Sequence, residues 1–181
     1  MPRPPLRSFI YLTFLGVSLL TLALVVRSGV FEVKTHDEPI NAAMRAALAE
    51  ENPELSTADS LLVEQRYPTA HVLDSGLRYV VRSPGAGDIP RPGQWIAAHY
   101  TGWLLDGTMF DSSYTRGEPI AFRVGTGQVI KGWDQALLQM RKGEKRTLII
   151  PYWLAYGEKG RPPTIPAKAT LVFDVELVDI K

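Results

Sequence analysis

The sequence predicts an α+β domain in which an antiparallel sheet packs on one short helix. Between residues 76 and 181, stretches with apolar side chains at alternate positions are separated by turns rich in glycine and proline, a pattern typical of strands. One stretch has apolar residues at helical spacing instead. Strands do not alternate with long helices, which argues against a parallel sheet. Residues 1–30 and 31–75 differ in composition and predict a transmembrane helix and a partly helical connector.

Composition excludes several classes of function. The chain has 181 residues, of which 45% are hydrophobic and 22% charged, as in ordinary globular proteins. A net charge of +1 gives no field that would attract nucleic acid, so we expect no nucleic-acid partner. The absence of cysteine excludes disulfides, thiol catalysis and zinc–thiolate sites. The three histidines show no metal-ligand spacing, and we expect neither a metal nor a cofactor.

The N-terminal 30 residues contain a run, Ser8–Val26, without a charged residue. As a helix this run would be about 28 Å long, close to the thickness of the hydrocarbon core of a bilayer. Arg3 and Arg7 precede it and favour a cytoplasmic N-terminus. We therefore expect a single-pass anchor in the cytoplasmic membrane, with the C-terminal domain on the exported side, periplasmic or extracellular. The alternative is a cleaved signal peptide and a secreted or periplasmic protein, although branched residues end the run where cleavage needs small ones.

Residues 31–75 carry nine acids against three bases. Apolar residues between 40 and 48 have helical spacing, and Ser56 is positioned to cap a second short helix that Pro68 would end. The second helix would present Leu61, Leu62 and Gln65. We interpret this segment as a solvated acidic connector. A dimerisation arm is the alternative, so the oligomeric state is left open.

The third segment, residues 76–181, supplies the elements of the predicted sheet. Asp106-Gly107 is a hairpin signal between two of its strands. Trp133, Ala136, Leu137 and Met140 recur at helical spacing and predict the one helix, with Gly143 just beyond its end. The predicted strands are Leu77–Val81, Gln94–Leu105, Ile120–Val124, Lys145–Ile150 and Leu171–Val178.

The same region contains six short motifs in a characteristic order. They are Val80-Val81 with Gly85 and Gly87, His99–Gly102, Asp106–Ser113, Val129–Trp133, Leu154–Gly157 and Ile165–Phe173. In these motifs and their spacing the region resembles FKBP-type peptidyl-prolyl cis-trans isomerases, and the N-terminal run suggests a bacterial, membrane-anchored or exported member. The resemblance implies a twisted antiparallel sheet wrapped around one short helix. Since every motif lies beyond Gly76, we expect a fragment beginning near Val72 to fold and to keep its activity.

The resemblance also implies a substrate pocket. Asp111, Tyr156 and Tyr100 would be its catalytic residues. Ile120 stands where many members have phenylalanine, and Arg161 where a human member has histidine. Without the resemblance, several of the aromatic residues would be interpreted as ordinary core. The residues expected to bind substrate are Tyr100, Phe110, Asp111, Ile120, Val129, Ile130, Trp133, Tyr156, Ile165 and Phe173.

The implied activity is isomerisation of X–Pro bonds during the folding of exported proteins. The expected partners are proline-containing polypeptides and the macrolide inhibitors of the family. Rotation about an amide breaks no bond, so a pocket that binds the twisted amide better than the planar forms is sufficient. The alternative is a proline-peptide-binding module or holdase chaperone with weak isomerase activity. His99 is expected to lie on the sheet face opposite Tyr100, because neighbouring residues of a strand point to opposite faces.

Overall fold

Seven strands form a single antiparallel sheet in the computed structural model, which describes residues 53–181. These residues belong to one compact unit, Ala46–Lys181. The strands are β1 (His71–Val72), β2 (Arg78–Ser83), β3 (Trp95–Leu104), β4 (Met109–Ser112), β5 (Ile120–Arg123), β6 (Lys145–Ile150) and β7 (Leu171–Ile180). Their order across the sheet is β1-β2-β6-β7-β3-β4, and β5 pairs with the first half of β3.

Within residues 53–181, three α-helices accompany the sheet: α1 (Thr57–Arg66), α2 (Ser113–Arg116) and α3 (Lys131–Leu137). Two single turns of 3₁₀-helix, Tyr152–Leu154 and Gly157–Lys159, lie in the long connection between β6 and β7. The predicted α+β class and the predicted strand Lys145–Ile150 are confirmed. α2 and the 3₁₀ turns were not predicted. The predicted helix ends earlier than its apolar spacing suggested, and Met140 is buried in the turn that follows it.

The two faces of the sheet have different partners. The inner face, which carries Tyr100, Leu148 and Phe173, packs against Trp133, Ala136 and Leu137 of α3 and forms the main core. The outer face carries Trp103, Ile149 and Val172 and packs against α1 and Leu105. Neighbouring positions such as Leu148 and Ile149 are buried on opposite sides, as strand alternation requires.

Helix α1 begins where its sequence predicts. The Ser56 hydroxyl accepts a hydrogen bond from the Asp59 amide at 3.0 Å, a capping contact that satisfies one of the free N–H groups of the first turn. Val63 is the buried residue of α1. The predicted apolar face is wrong in one respect, since Leu61 is 63% exposed.

Polar contacts also join α1 to the sheet. The Thr170 hydroxyl donates to the Asp59 carboxylate at 2.7 Å, and Arg66 donates to the carbonyl of Leu105. The predicted connector, residues 31–75, therefore includes a helix that packs on the outer face. The domain limits themselves stay predictions.

Other predictions fall on residues outside the described range. The apolar run Ser8–Val26 and the first connector helix, residues 40–48, both lie there. Within residues 53–181, no helix is long and apolar enough to cross a membrane.

Candidate active site

A cavity of about 270 Å³ opens on the inner face. Its volume is near the lower end of the range common for small-ligand sites. Nine of the ten residues predicted to bind substrate line it, together with Gln128 and Arg161. The lining residues are Tyr100, Phe110, Asp111, Ile120, Gln128, Val129, Ile130, Trp133, Tyr156, Arg161 and Phe173.

Four aromatic rings build the floor and walls. Trp133, on α3, meets the ring of Tyr100 at 4.9 Å and 85° and that of Phe173 at 5.3 Å and 79°. Phe110 meets Phe173 at 5.5 Å and 89°. These edge-to-face contacts are the arrangement that aromatic pairs favour. Because each ring is held by its neighbours, the cavity has a rigid apolar wall.

Gly102 makes room for two of these rings. It lies two residues after Tyr100 on β3 and therefore faces the same side of the sheet. A Cβ atom at this position would lie 2.7 Å from Cζ of Phe110 and 2.8 Å from Cε1 of Phe173. Only glycine allows both rings to cross the strand here.

The one carboxylate that lines the cavity is part of a hydrogen-bonded triad. The Tyr100 hydroxyl donates to Oδ2 of Asp111 at 2.5 Å. The Arg116 guanidinium donates through Nη1 to Oδ1 of Asp111 at 2.5 Å and through Nη2 to the Tyr100 hydroxyl at 2.7 Å. Asp111 is therefore held from two sides, and the triad fixes one edge of the cavity.

The triad moves two pKa values away from neutrality. Burial acts to raise the pKa of Asp111, but the hydrogen bonds from Tyr100 and Arg116 and the positive charge of Arg116 outweigh it, and the pKa is lowered. The pKa of Tyr100 is raised, first by burial and then by its hydrogen bond to Asp111. Near pH 7 the site thus holds a carboxylate ion and a neutral phenol.

The sequence analysis missed Arg116. It lies five residues after Asp111, at the end of α2, a single turn capped by Ser112 and ended by Gly117 in the left-handed conformation. That turn brings the guanidinium back over the strand end. The capping serine and the terminal glycine were signals for this turn, and the sequence analysis did not use them.

Among the remaining lining residues, Ile120 begins β5 and the others come from loops. Val129 and Ile130 immediately precede α3, and Tyr156 lies between the two 3₁₀ turns. Gln128, also missed, accepts a hydrogen bond from the Arg123 amide at 2.9 Å and so joins this loop to β5. Ile165 is not among the lining residues: its side chain is buried in the main core. Its contact with substrate stays a prediction.

His99 lies on the opposite side of the sheet from the cavity. Its ring stacks on Tyr114 at 4.5 Å and 12°, and Nδ1 shares a hydrogen bond of 2.9 Å with the Ser113 hydroxyl. That hydroxyl is fully buried and accepts from the Tyr100 amide at 2.8 Å. The pair therefore supports the strand backbone on the face away from the cavity.

Comparison with known proteins identifies the family. The profile of the FKBP-type peptidyl-prolyl cis-trans isomerases matches residues 87–178, about half of the chain. This chain belongs to that family of enzymes. The match contains every residue that lines the cavity, so the family assignment and the candidate site concern the same part of the chain.

Two relatives and one solved structure show how far the likeness extends. Peptidyl-prolyl cis-trans isomerase FPR2 of Saccharomyces cerevisiae is 64% identical over 91 residues, or 50% of this chain and 67% of the relative. FK506-binding protein 2 of Debaryomyces hansenii is 64% identical over 90 residues, or 50% of this chain and 66% of the relative. A crystal structure of AtFKBP13 has a TM-score of 0.60 and 44% identity, covering 62% of this chain and 98% of the other. The chain thus spans about two thirds of the length of the two yeast relatives.

These FKBP relatives do not support every part of the sequence interpretation. Both come from yeasts, so they give no support to a bacterial source. They also match only about half of the chain and leave the predicted membrane run untested. Within the part of the chain that the structure describes, no group of three or more His, Asp or Glu side chains could hold a metal ion.

Proposed function

We propose that the aromatic cavity is the site at which this chain isomerises X–Pro bonds of polypeptides. The observation that carries the proposal is a small cavity walled by the rings of Tyr100, Phe110, Trp133 and Phe173, with a single carboxylate, hydrogen-bonded through both oxygens, at its edge. A proline ring is a compact apolar group that such a cavity can take up.

The proposed mechanism is binding of the twisted amide. Rotation about an X–Pro bond is slow because amide resonance is lost on the way, at a barrier of about 18–20 kcal/mol. The planar amide owes its resonance to charge separation, which water stabilises and an apolar wall does not. Transfer into the cavity therefore favours the twisted form relative to the planar forms, and only this difference accelerates the reaction. A reduction of the barrier by about 7 kcal/mol would give roughly 10⁵-fold acceleration.

Three polar groups have proposed supporting roles. The Tyr156 hydroxyl and the Ile130 backbone N–H, from two residues that line the cavity, would hold the substrate backbone. The Asp111 carboxylate would orient the site through Tyr100 and Arg116. Since these groups neither attack nor transfer a proton, the reaction needs no activated nucleophile.

The test is an isomerisation assay on a short proline peptide with the wild-type chain and with Trp133→Leu. We expect wild-type activity and its loss in the variant, because Trp133 forms the floor. Circular dichroism must show that the variant is folded; Phe110→Leu, which alters a wall instead, serves if it is not. The runner-up function is a proline-peptide-binding module or holdase chaperone. Wild-type suppression of aggregation without isomerisation would favour it.

Binding of macrolide inhibitors is a further part of the proposal. The name of the Debaryomyces relative describes it as FK506-binding, and the cavity residues of this chain lie within the family match. We expect the macrolide to compete with proline peptides for the same cavity. Binding that does not change in Phe173→Ala would contradict a shared site.

The location and the clients are proposed from the N-terminal sequence alone. Ser8–Val26 would anchor the chain in a cytoplasmic membrane, with its isomerase domain acting on exported proteins of a bacterial cell. Membrane fractionation followed by protease treatment from the exported side tests this arrangement. Recovery of a soluble form that begins after Val26 would instead indicate a cleaved signal peptide.

A further inference from the structure

The rim of the cavity carries one unbalanced positive charge. Asp111 and Arg161 are the two charged residues that line it. The Asp111 carboxylate is engaged by Arg116 at 2.5 Å. Arg161, in contrast, forms no ion pair with any carboxylate of residues 53–181, and its guanidinium lies 5.9 Å from the ring centroid of Tyr156. The charge of Arg161 is therefore available to a ligand.

The loop around Arg161 strengthens the local positive charge. Between Gly157 and Lys168 the sequence has three bases and one acid. That acid, Glu158, is paired with Lys168 at 2.8 Å. Lys159, like Arg161, is exposed and forms no ion pair within the described residues. Salt screens exposed charges beyond about 10 Å at 0.1 M, so groups close to the rim act most on a ligand there, and Arg161 is the base that lines the cavity.

The backbone holds Arg161 in place. Its amide donates to the Ile165 carbonyl at 2.8 Å, and the Ile165 amide donates back at 3.0 Å, which closes a short loop through two prolines. The preceding Gly160 has φ +65°, and a Cβ there would lie 2.2 Å from the Pro166 carbonyl oxygen. Only glycine fits this approach. The loop therefore has a fixed backbone conformation before a ligand binds, and binding costs little backbone entropy.

We propose that Arg161 is a specificity-determining residue that favours substrates with aspartate or glutamate next to the proline. The inference rests on the proposed function, since it assumes that the proline ring enters the aromatic cavity. The chain on either side of a bound proline must then leave across the rim, where a flanking carboxylate can meet the free guanidinium. An exposed ion pair of this kind is worth about two- to fivefold in affinity.

The preference should reside in KM. The charge of a flanking side chain does not change while the amide rotates, so Arg161 binds the ground state and the transition state equally well. Such uniform binding lowers KM and leaves kcat unchanged. A residue that acted on the rotation itself would alter kcat.

The experiment uses the full chain and peptides that differ only in one residue beside proline: glutamate, glutamine or lysine, placed before proline in one set and after it in another. At low ionic strength we expect the glutamate peptide to exceed the glutamine peptide in kcat/KM by about two- to fivefold in at least one set. The lysine peptide should fall below both. The ratio should approach one at about 1 M salt.

Arg161→Gln should bring the glutamate-to-glutamine ratio to one, and Arg161→Glu should reverse the preference towards lysine. Lys159→Gln is the matched control, because it removes one positive charge from the same loop but not from the cavity lining; it should keep most of the ratio. A ratio of one for the wild type in both sets, with active enzyme, would overturn the role of Arg161. So would an equal loss in Lys159→Gln. No isomerisation of any peptide would instead contradict the proposed function.

Discussion

The two faces of the sheet are built from neighbouring residues but have different roles: the inner face forms the candidate site and the outer face packs against α1. On β7, Val172 and Phe173 are adjacent and almost equally buried, at 5% and 4% exposure. Phe173 meets three other aromatic rings around the candidate site, whereas Val172 packs with Val63, Leu105 and Ile149 beneath α1. Burial alone therefore does not distinguish a binding wall from structural packing. The difference lies in the neighbours: aromatic rings meet edge to face around Phe173, whereas Val172 is covered by α1.

The largest expected effect concerns the helix on the outer face. A fragment of residues 72–181 lacks α1 and exposes Leu105, Ile149 and Val172 to water. Compared with residues 53–181, we expect its unfolding free energy to fall by about 3 kcal/mol or more, since each fully buried apolar side chain contributes about 1.5–3 kcal/mol. The prediction that a fragment beginning near Val72 folds and keeps its activity stands, but the structure adds the expectation that this fragment is less stable than the longer chain. Thermal and urea unfolding measure the difference, and equal stability would contradict it.

A pair of single substitutions sharpens this test without truncation. Val63 and Leu61 both lie on α1, but Val63 is 1% exposed and Leu61 is 63% exposed. We expect Val63→Ala to cost about 2 kcal/mol and Leu61→Ala less than about 0.5 kcal/mol. Turnover by the folded fraction should be unchanged in both, because α1 contributes no residue to the cavity.

The second prediction compares the two faces through adjacent residues of β7, Phe173 and Val172. Phe173→Ala should lower kcat/KM and macrolide affinity by about tenfold or more, because a wall of the cavity is lost. Val172→Ala should cost stability, about 1–2 kcal/mol, with normal turnover by the folded protein. Activity assays on both variants, corrected for the folded fraction, decide the matter. If Phe173→Ala were as active as the wild type, Phe173 would have a structural role only.

The sequence predicts the residues of the inner face more completely than those of the outer face, for a physical reason. The cavity residues lie in short motifs such as Val129–Trp133, in which the residues that shape the loop and those that line the cavity are close together in sequence. The outer cluster joins Val63, Leu105 and Ile149 from distant parts of the chain. Each of them stands beside other apolar residues, and the local pattern does not say which of these will meet across the sheet, so their contact appears only once the chain is folded.

Arg116 and Ile165 illustrate the same limit within the site. Arg116 is an exposed, charged residue, unlike the aromatic residues that line the cavity. Its contact with Asp111 depends on a single helical turn. Ile165 belongs to a family motif, yet its side chain is buried in the core beside the cavity. Motif membership locates a residue in the chain but does not say towards which side its side chain points.

A smaller effect is expected at Gly102. In Gly102→Ala the added Cβ would lie under 3 Å from the rings of Phe110 and Phe173, so both must shift. We expect kcat/KM to fall about three- to tenfold, with a modest loss of stability, of the order of 1–3 kcal/mol, as in other overpacked sites. Gly93→Ala is the control for turnover: its φ of +84° costs stability in the variant, but its Cβ would meet nothing within 4 Å. A loss of stability in Gly102→Ala with unchanged turnover would show that the rings can move without consequence for the site.

The smallest expected effect is that of pH, and the triad is the reason. The pKa of Asp111 is lowered, so the stability it contributes is present above its unfolded pKa of about 3.9 and is lost as pH falls through the lower folded value. The pKa of Tyr100 is raised, so its contribution is present below about pH 10 and is lost as pH rises through the higher folded value. Neither window reaches pH 6–8. We therefore expect kcat/KM to be nearly flat there, whereas general acid–base catalysis would give a slope or a bell.

His99 provides the control for this prediction, because histidine is the side-chain type that ordinarily changes charge near neutral pH. Its ring stacks on Tyr114 on the far side of the sheet and reaches the cavity wall only through Ser113, whose hydroxyl accepts from the Tyr100 amide. His99→Asn should therefore lower stability slightly and leave turnover within about twofold at every pH between 6 and 8. Suppose instead that kcat/KM changes tenfold over this range and the substitution abolishes the change. Then the outer face would take part in catalysis through the β3 backbone, and binding of the twisted amide would no longer suffice as the mechanism.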